Sequence, residues 1–372
     1  GDLHFIVTHA SHNIGYAYDE DWTYDGFHPW GYTSFDAYYR DVDTNTVELR
    51  FVSGDQWRLF NDTTSWVIGS RVKNNKEDLL RQYTYADGDF VSQYQPITQA
   101  VYGQLESQLT NDLLLTFALR AENYDFSYGD NAGLNGEHDS TMLGGKLALS
   151  YQLGQQLVYA SVSRGYKGAG INPDQNVSTD NRFYDEEYNW NYEIGMKGRL
   201  ADQLTSRLAF FIMKREDTQV SDYELQYRDD GSAEFIDIIS NADLGTNQGV
   251  EVELSWQATD AWNLSFSGGY LDAYFEDYTR ADGTTVTEQQ QAQAPEFTAN
   301  LLSQLDFNES IRWNVEVDFA DRYRFSDGHD VTAPSRTLVH TQLSWRIENW
   351  ETQLWINNAF DETYYTRGFG GF

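Results

Sequence analysis

The feature that most constrains this chain is a period-two alternation of apolar and polar residues that returns along its whole length. Val250, Val252, Leu254 and Trp256 share one face of an extended segment, and Glu251, Glu253 and Ser255 share the other. Trp313, Val315, Val317 and Phe319 oppose Asn314, Glu316 and Asp318. Val339, Thr341, Leu343 and Trp345 oppose His340, Gln342 and Ser344, and Trp262, Leu264 and Phe266 oppose Asn263, Ser265 and Ser267. A weaker case is Leu113, Leu115, Phe117 and Leu119 against Leu114, Thr116, Ala118 and Arg120. Helical spacing would scatter these residues around an axis, whereas a strand sorts them onto two faces.

The connections alternate too. Short turns are expected near 53–56, 109–112, 153–155, 200–203, 258–261, 308–310 and 348–350. Long polar or aromatic stretches fall between them, near 19–43, 74–95, 127–138, 168–185, 222–233, 279–292 and 326–334. Short turns at one end and long loops at the other distinguish a transmembrane β-barrel from a soluble sandwich. The pattern predicts about 15 strands: 2–18, 44–53, 57–73, 96–109, 112–126, 139–152, 156–167, 186–199, 203–221, 234–257, 262–278, 293–307, 311–325, 335–347 and 351–358. Trp256, Trp262, Tyr270, Tyr274, Trp313 and Trp345 lie near predicted strand ends, where amphipathic rings suit a membrane interface.

Composition removes other classes. There is no cysteine, hence no disulfide, thiolate metal site or cysteine nucleophile. A net charge of −33 repels nucleic-acid phosphates, so no nucleic-acid partner is expected. Aromatics make up 16% of the chain, far from the aromatic-poor make-up of disordered acidic chains. No apolar run is long enough for a membrane helix, but a barrel strand needs only about ten residues with every second one apolar. The chain opens on Gly1 with no secretory leader, so a signal is expected to be absent or already removed.

No Gly-x-Ser-x-Gly elbow, His-Glu-x-x-His pair or phosphate-cradling glycine loop is present, and no enzymatic activity is expected. Glu251 and Glu253 read as solvated lumen charges rather than as a glycosidase pair. Asp327-Gly328-His329-Asp330 reads as a solvated turn rather than a cation site, and no metal or cofactor is assigned.

Several segments resemble the barrel of TonB-dependent receptors. They are Ser163-Arg-Gly-Tyr-Lys-Gly-Ala-Gly-Ile-Asn172; Glu187 to Lys197, with its Glu193-x-Gly195-x-Lys197; Phe211 to Val220; Asn241-Ala242 followed by Gly249-Val-Glu-Val-Glu253; and Asn357-Asn-Ala-Phe-Asp-Glu-Thr-Tyr364. Their order and spacing also resemble the family's, and the resemblance covers essentially residues 1–372. It implies an all-β, antiparallel transmembrane barrel, 22-stranded in the intact family, of which this chain is part. The plug domain and the short box that engages TonB are not visible, nor is a closing terminal strand.

By that resemblance the protein is a monomeric receptor in the outer membrane of a Gram-negative bacterium, among outer-membrane lipid and lipopolysaccharide. It takes up a scarce ligand, an iron–siderophore complex foremost, with energy supplied through TonB. Glycan or cobalamin uptake, a passive porin and a soluble β-rich binding protein stay open. Stacking rings and cations suit a flat chelate. The ligand candidates are therefore Trp22, Tyr24, Phe27, His28, Trp30 and Tyr32 in the 19–43 loop, with Arg164, Tyr166, Lys167, Arg182, Arg322 and Arg324 near long-loop strand ends.

Overall fold

The computed structural model describes residues 1–372 except 20–23, 25, 28, 30, 32, 175–176, 228–232, 281–282 and 369–372, and the side chains of 225–227 and 233–235. Trp22, His28, Trp30 and Tyr32 lie outside the described residues. The strands are β1 (Asp2–Asp19), β2 (Phe35–Val52), β3 (Thr64–Tyr83), β4 (Phe90–Gln108), β5 (Leu113–Asp130), β6 (Asn135–Leu153), β7 (Gln156–Lys167), β8 (Gly170–Ile171), β9 (Phe183–Tyr184), β10 (Glu187–Ala201), β11 (Leu204–Tyr227), β12 (Ala233–Thr259), β13 (Trp262–Thr279), β14 (Thr285–Gln290), β15 (Phe297–Asn308), β16 (Ile311–Ala320), β17 (Tyr323–Arg324), β18 (Thr332–Ala333), β19 (Arg336–Ile347) and β20 (Trp350–Ile356). Among the described residues fifteen long strands pair in chain order, and β14 adds a short hairpin arm to β13. Among the described residues the strand ladders are antiparallel. The chain divides into two compact units, 1–107 with 117–145 and 168–183, and 108–116 with 146–167 and 184–372.

In the second unit the alternation becomes two chemically opposite faces. Register places Ile194, Phe210, Val250, Tyr270 and Phe297 in one row across five strands. These side chains are not packed into a core: Ile194 is 54% exposed and Phe210 48%. The row Met196, Leu208, Val252, Gly268, Ala299 and Phe319 runs beside it, and Leu204, Trp256 and Leu264 form a row nearer the short turns. On the opposite face, Arg207, Glu253, Ser267, Asn300 and Asp318 form a wholly polar row. Arg207 pairs with Glu253 at 2.9 Å, and Asn300 Nδ2 donates to Asp318 at 2.9 Å.

The apolar band runs along β11 from Leu204 to Ile212, about 26 Å at ~3.3 Å per residue. A strand tilt of ~40° reduces its height to about 20 Å, near the ~25 Å apolar band of a membrane barrel. Beyond it the same face turns polar at Gln248 and Asp272, whose side chains bond at 2.9 Å.

The first unit repeats the arrangement. Leu3, Phe5 and Val7 face Phe51, Leu49 and Val47, with Ile68 and Val72 continuing onto β3, and all of these but the half-buried Phe51 are exposed. The band ends where His9, Asn45 and Asn74 meet. Above that row β1 to β4 continue for several more residues with polar and apolar side chains on both faces.

Two parts of the strand reading need correction. Residues 35–43, 74–83, 90–95 and 127–130, expected as loop, are strand. Residues 57–63, expected as strand, are not: a 3-10 turn at Asp55–Trp57 leads into Phe60, Asn61 and Asp62 at φ 52°, 56° and 67°, and Trp66 Nε1 donates back to Trp57 O.

The Glu-x-Gly-x-Lys motif acquires a physical meaning. Tyr159 lies across Gly195 so closely that an added Cβ would sit 2.6 Å from the phenol, and its hydroxyl donates to Glu193 at 2.6 Å. The first unit uses the same device with Tyr102 over Gly69 and onto Glu48. Gly195→Val is expected to cost about 1–3 kcal/mol by overpacking. Chemical unfolding of Gly195→Val against Gly195→Val/Tyr159→Ser, in which the added bulk meets no ring, checks this.

Candidate functional site

Beyond the apolar band the extended strand ends carry polar and apolar side chains on both faces, so what they bring together is informative. On the polar face of β1, β2 and β3, register brings Tyr16 opposite Tyr38 and Tyr38 opposite Arg81, while Tyr18 lies opposite Asp36 and Asp36 opposite Tyr83. The rings of Tyr16 and Tyr38 stack at 5.0 Å and 8°, and Tyr18 adjoins both. Arg81 lies 5.2 Å from the Tyr38 ring and 5.3 Å from that of Tyr83. It makes a two-pronged bond to Asp36, at 3.0 Å from Nε and 2.8 Å from Nη2. Asp36 is only 1% exposed and also accepts from Tyr38. Below this row Arg40 pairs with Glu77. Tyr94 and Tyr124 share a 2.7 Å hydrogen bond, and the buried Phe126 ring adjoins Tyr94 and His138. The result is a stiff wall of rings whose cations are already matched.

The electrostatics agree with this geometry. The hydrogen bonds that Arg81 donates to Asp36 raise its guanidinium above the ordinary value despite burial. Burial, then the hydrogen bond with Tyr18, raises the Tyr38 phenol, so it stays neutral. Tyr16 and Tyr18 remain 42% and 47% exposed, leaving ring surface for a ligand.

The candidate residues scatter around this wall. Tyr24 and Phe27 are exposed and meet edge to face at 5.5 Å in the segment that enters β2 at Phe35. Arg182 donates to the carbonyls of Asn172, Asp174 and Val177. Both Arg164 and Tyr166 fall on the same face as Ala160 and Ile194, just past the apolar band, and Arg164 stacks over Tyr188 at 4.0 Å. Lys167 falls on the opposite, polar face, and Arg322 is exposed.

Arg324 is spent on a carboxylate: it bonds Asp330 at 2.6 Å, and Arg280 bonds the same oxygen at 3.2 Å. The wall residues Tyr16, Tyr38, Asp36 and Arg81 escaped the sequence reading because they converge only through register; the recurrence of Tyr16, Tyr18 and Tyr38 was the available signal.

The long-loop end of the second unit is a small packed lobe. Val220, Ala242, Phe275 and Tyr278 cluster there with Val286. Asn241 clamps it, accepting from Asp185 N and donating to the carbonyls of Asp185 and Asp217. Tyr278 donates to Asp222 at 2.6 Å, and Asp327 accepts from Ala292 N at 2.7 Å. Asp327 therefore points inward, whereas the sequence suggested a solvated turn.

Burial raises the Asp327 carboxyl; its contribution is full below its unfolded value, near 3.9, and is lost as pH rises through its higher folded value. Asp330 is the reverse. Arg324 and Arg280 hold it below the ordinary range, so its contribution is present above the unfolded value and lost as pH falls through the folded one. Asp327→Asn, which keeps an acceptor for Ala292 N, is expected to slow hydrogen exchange of 323–333 at pH 7, and Asp327→Ala to speed it.

The TonB dependent receptor-like β-barrel family matches residues 2–359. Over 280 residues the chain is 31% identical to the ferric-pyoverdine 358 receptor of Pseudomonas putida, covering 71% of this chain and 32% of that protein. Over 326 residues it is 22% identical to the pesticin receptor of Yersinia pestis, covering 82% of this chain and 46% of that one. Among solved structures it superposes on the ferric yersiniabactin uptake receptor of Yersinia pestis with a TM-score of 0.78 at 18% identity, over 99% of this chain and 55% of that one. The siderophore receptor PiuA of Acinetobacter baumannii gives 0.77 at 16% identity, over 98% and 58%. The chain thus spans between about a third and somewhat over half of these relatives. Antiparallel strands with an exposed apolar band, five motifs in family order and this match along nearly the whole chain place it in the β-barrel family of TonB-dependent receptors, a family of receptors rather than enzymes.

Proposed function

We propose that the protein carrying this chain is an outer-membrane receptor of a Gram-negative bacterium that takes up a ferric siderophore with energy supplied through TonB. On this reading residues 1–372 are part of its barrel domain. The observation that carries it is the pairing of two surfaces on one set of strands. On β1 to β3 one face carries an exposed apolar band, and the other ends, beyond that band, in an aromatic wall. An apolar band in contact with water would cost ~25 cal/mol per Å², which makes lipid its natural solvent. Similarity to receptors named for ferric pyoverdine and ferric yersiniabactin supports the iron cargo.

The ligand is placed against Tyr16, Tyr18 and Tyr38 on the lumen side. The loop that precedes β2 contributes Tyr24 and Phe27, with Trp22, His28, Trp30 and Tyr32, as further contacts on this reading. That loop runs directly into β2 beside Asp36, and Tyr85 holds its end through Thr33 O at 2.7 Å. In the second unit Lys167 lies on the polar face, Arg322 is exposed and Arg324 is held by Asp330, and Arg164 with Tyr166, on the outward face, meets outer-leaflet lipid and lipopolysaccharide on this reading. The receptor acts as a monomer.

The test is growth and uptake of radiolabelled iron, supplied as individual ferric siderophores, by an iron-starved strain lacking the gene. Restoration by the wild-type gene for at least one siderophore is expected. Tyr38→Ala is expected to weaken binding about 5- to 100-fold, the worth of one lost stacking contact of about 1–3 kcal/mol. Uptake of a glycan or cobalamin with no response to any ferric siderophore would replace this reading.

A further inference from the structure

We infer that the wall selects a ferric chelate carrying no net negative charge, an inference that deepens the siderophore reading and rests on it. On β1 to β4, in the rows from His12 to Tyr18, the polar face carries two guanidiniums, Arg40 and Arg81, and two carboxylates, Glu77 and Asp36. Each guanidinium is paired with one of those carboxylates. The pairing is built in: Asp36 is 1% exposed and takes both prongs of Arg81 plus the Tyr38 hydroxyl, and Arg40 is further engaged by Tyr16. Asp174 adds a third negative charge within reach of Arg81.

An anionic chelate would therefore meet no uncommitted cation here. To bond either arginine it would have to displace a carboxylate already in place. What the wall does offer is the exposed ring faces of Tyr16 and Tyr18, apolar and polarisable surface that makes no demand for charge.

The surroundings act in the same direction. The outward face of the same strand ends carries Asp41, Asp43 and Asp78 against the one ammonium of Lys76, which is paired with Asp78. The whole chain has 58 acidic and 25 basic side chains, a net −33. A field of that sign lowers the local concentration of anions and raises that of cations.

The test uses the full protein that carries this chain, purified in detergent, and reads quenching of its tyrosine and tryptophan emission. Four probes are titrated: a neutral ferric tris-hydroxamate, a monocationic ferric tris-hydroxamate, a trianionic ferric tris-catecholate and ferric citrate. One of the first two is expected to bind at least tenfold more tightly than either anionic complex at ~0.01 M salt. That margin should shrink as salt rises to ~1 M, where the Debye length falls from about 30 Å to about 3 Å. Asp36→Asn with Glu77→Gln, which unmasks both arginines, is expected to tighten tris-catecholate binding at least tenfold.

An anionic complex binding as tightly as the hydroxamates, or a margin indifferent to salt, overturns the charge class and leaves the uptake reading standing. If none of the four binds and no ferric siderophore restores growth, both fall. Should the double variant fail to fold, the salt dependence of the wild-type margin decides alone.

Discussion

Arg81→Ala should destabilise the wall by about 3 kcal/mol, more than loss of any single ring would. The reason lies in what it leaves behind. Asp36 is 1% exposed, and its two oxygens take both prongs of Arg81. Removing one partner of a buried pair strands the other charge, at a cost of ~3–5 kcal/mol. The lower end applies because the Arg81 side chain is 30% exposed and water can partly reach the site. Removing the charge as well should restore much of the loss, so Arg81→Met/Asp36→Asn is expected to be markedly more stable than Arg81→Ala. Urea unfolding in lipid vesicles measures the three proteins together. Equal stability of Arg81→Ala and wild type would mean that Asp36 is solvated and that the wall is not preorganised.

The second large effect tests the two-faced sheet itself. Val252 lies in the middle row of the apolar band, and Ser255, three residues along, lies on the polar face beside Thr205 and Ser265. An arginine on the lipid face of a barrel costs about 2–4 kcal/mol at the membrane midplane. Val252→Arg should therefore destabilise the inserted protein by that amount. Ser255→Arg, among small hydroxyl side chains, should change stability by less than ~0.5 kcal/mol. Similar losses from both substitutions would show that Val252 does not face lipid.

These two sites also show what the sequence revealed. Where lipid supplies a reason for alternation, as from Leu204 to Ile212 or Val250 to Trp256, the strand and its two faces could be read directly from the chain. Past Gln248 and Asp272, or past His9 and Asn45, both faces meet water and the alternation stops, although the ladder does not. Residues 35–43 and 74–83 therefore looked like loop while forming the strands that hold Tyr38 and Arg81. No spacing rule links positions 16, 38 and 81; only antiparallel register does. The motifs were legible as family marks but not as physics. Gly195 needs Tyr159 lying over it to be understood, and Asn241 needs the backbone of Asp185 and Asp217. The aromatic stretch 19–43 is conspicuous in the sequence, yet Tyr24 with Phe27 gives one ring pair, and the ordered stack forms where the stretch becomes strand, at Tyr38.

The unbroken pairing of β1, β2 and β3 from the apolar band up to Tyr18, Asp36 and Tyr83 has a mechanical consequence. A recognition surface mounted on continuous ladders inherits their rigidity, with amide order parameters near ~0.85 rather than the values below ~0.6 of mobile segments. It is a fixed mould and cannot adapt to its guest. On the proposed function, diversification would proceed by exchanging side chains at every second position, leaving the scaffold untouched, and a handful of such exchanges would change what the wall accepts.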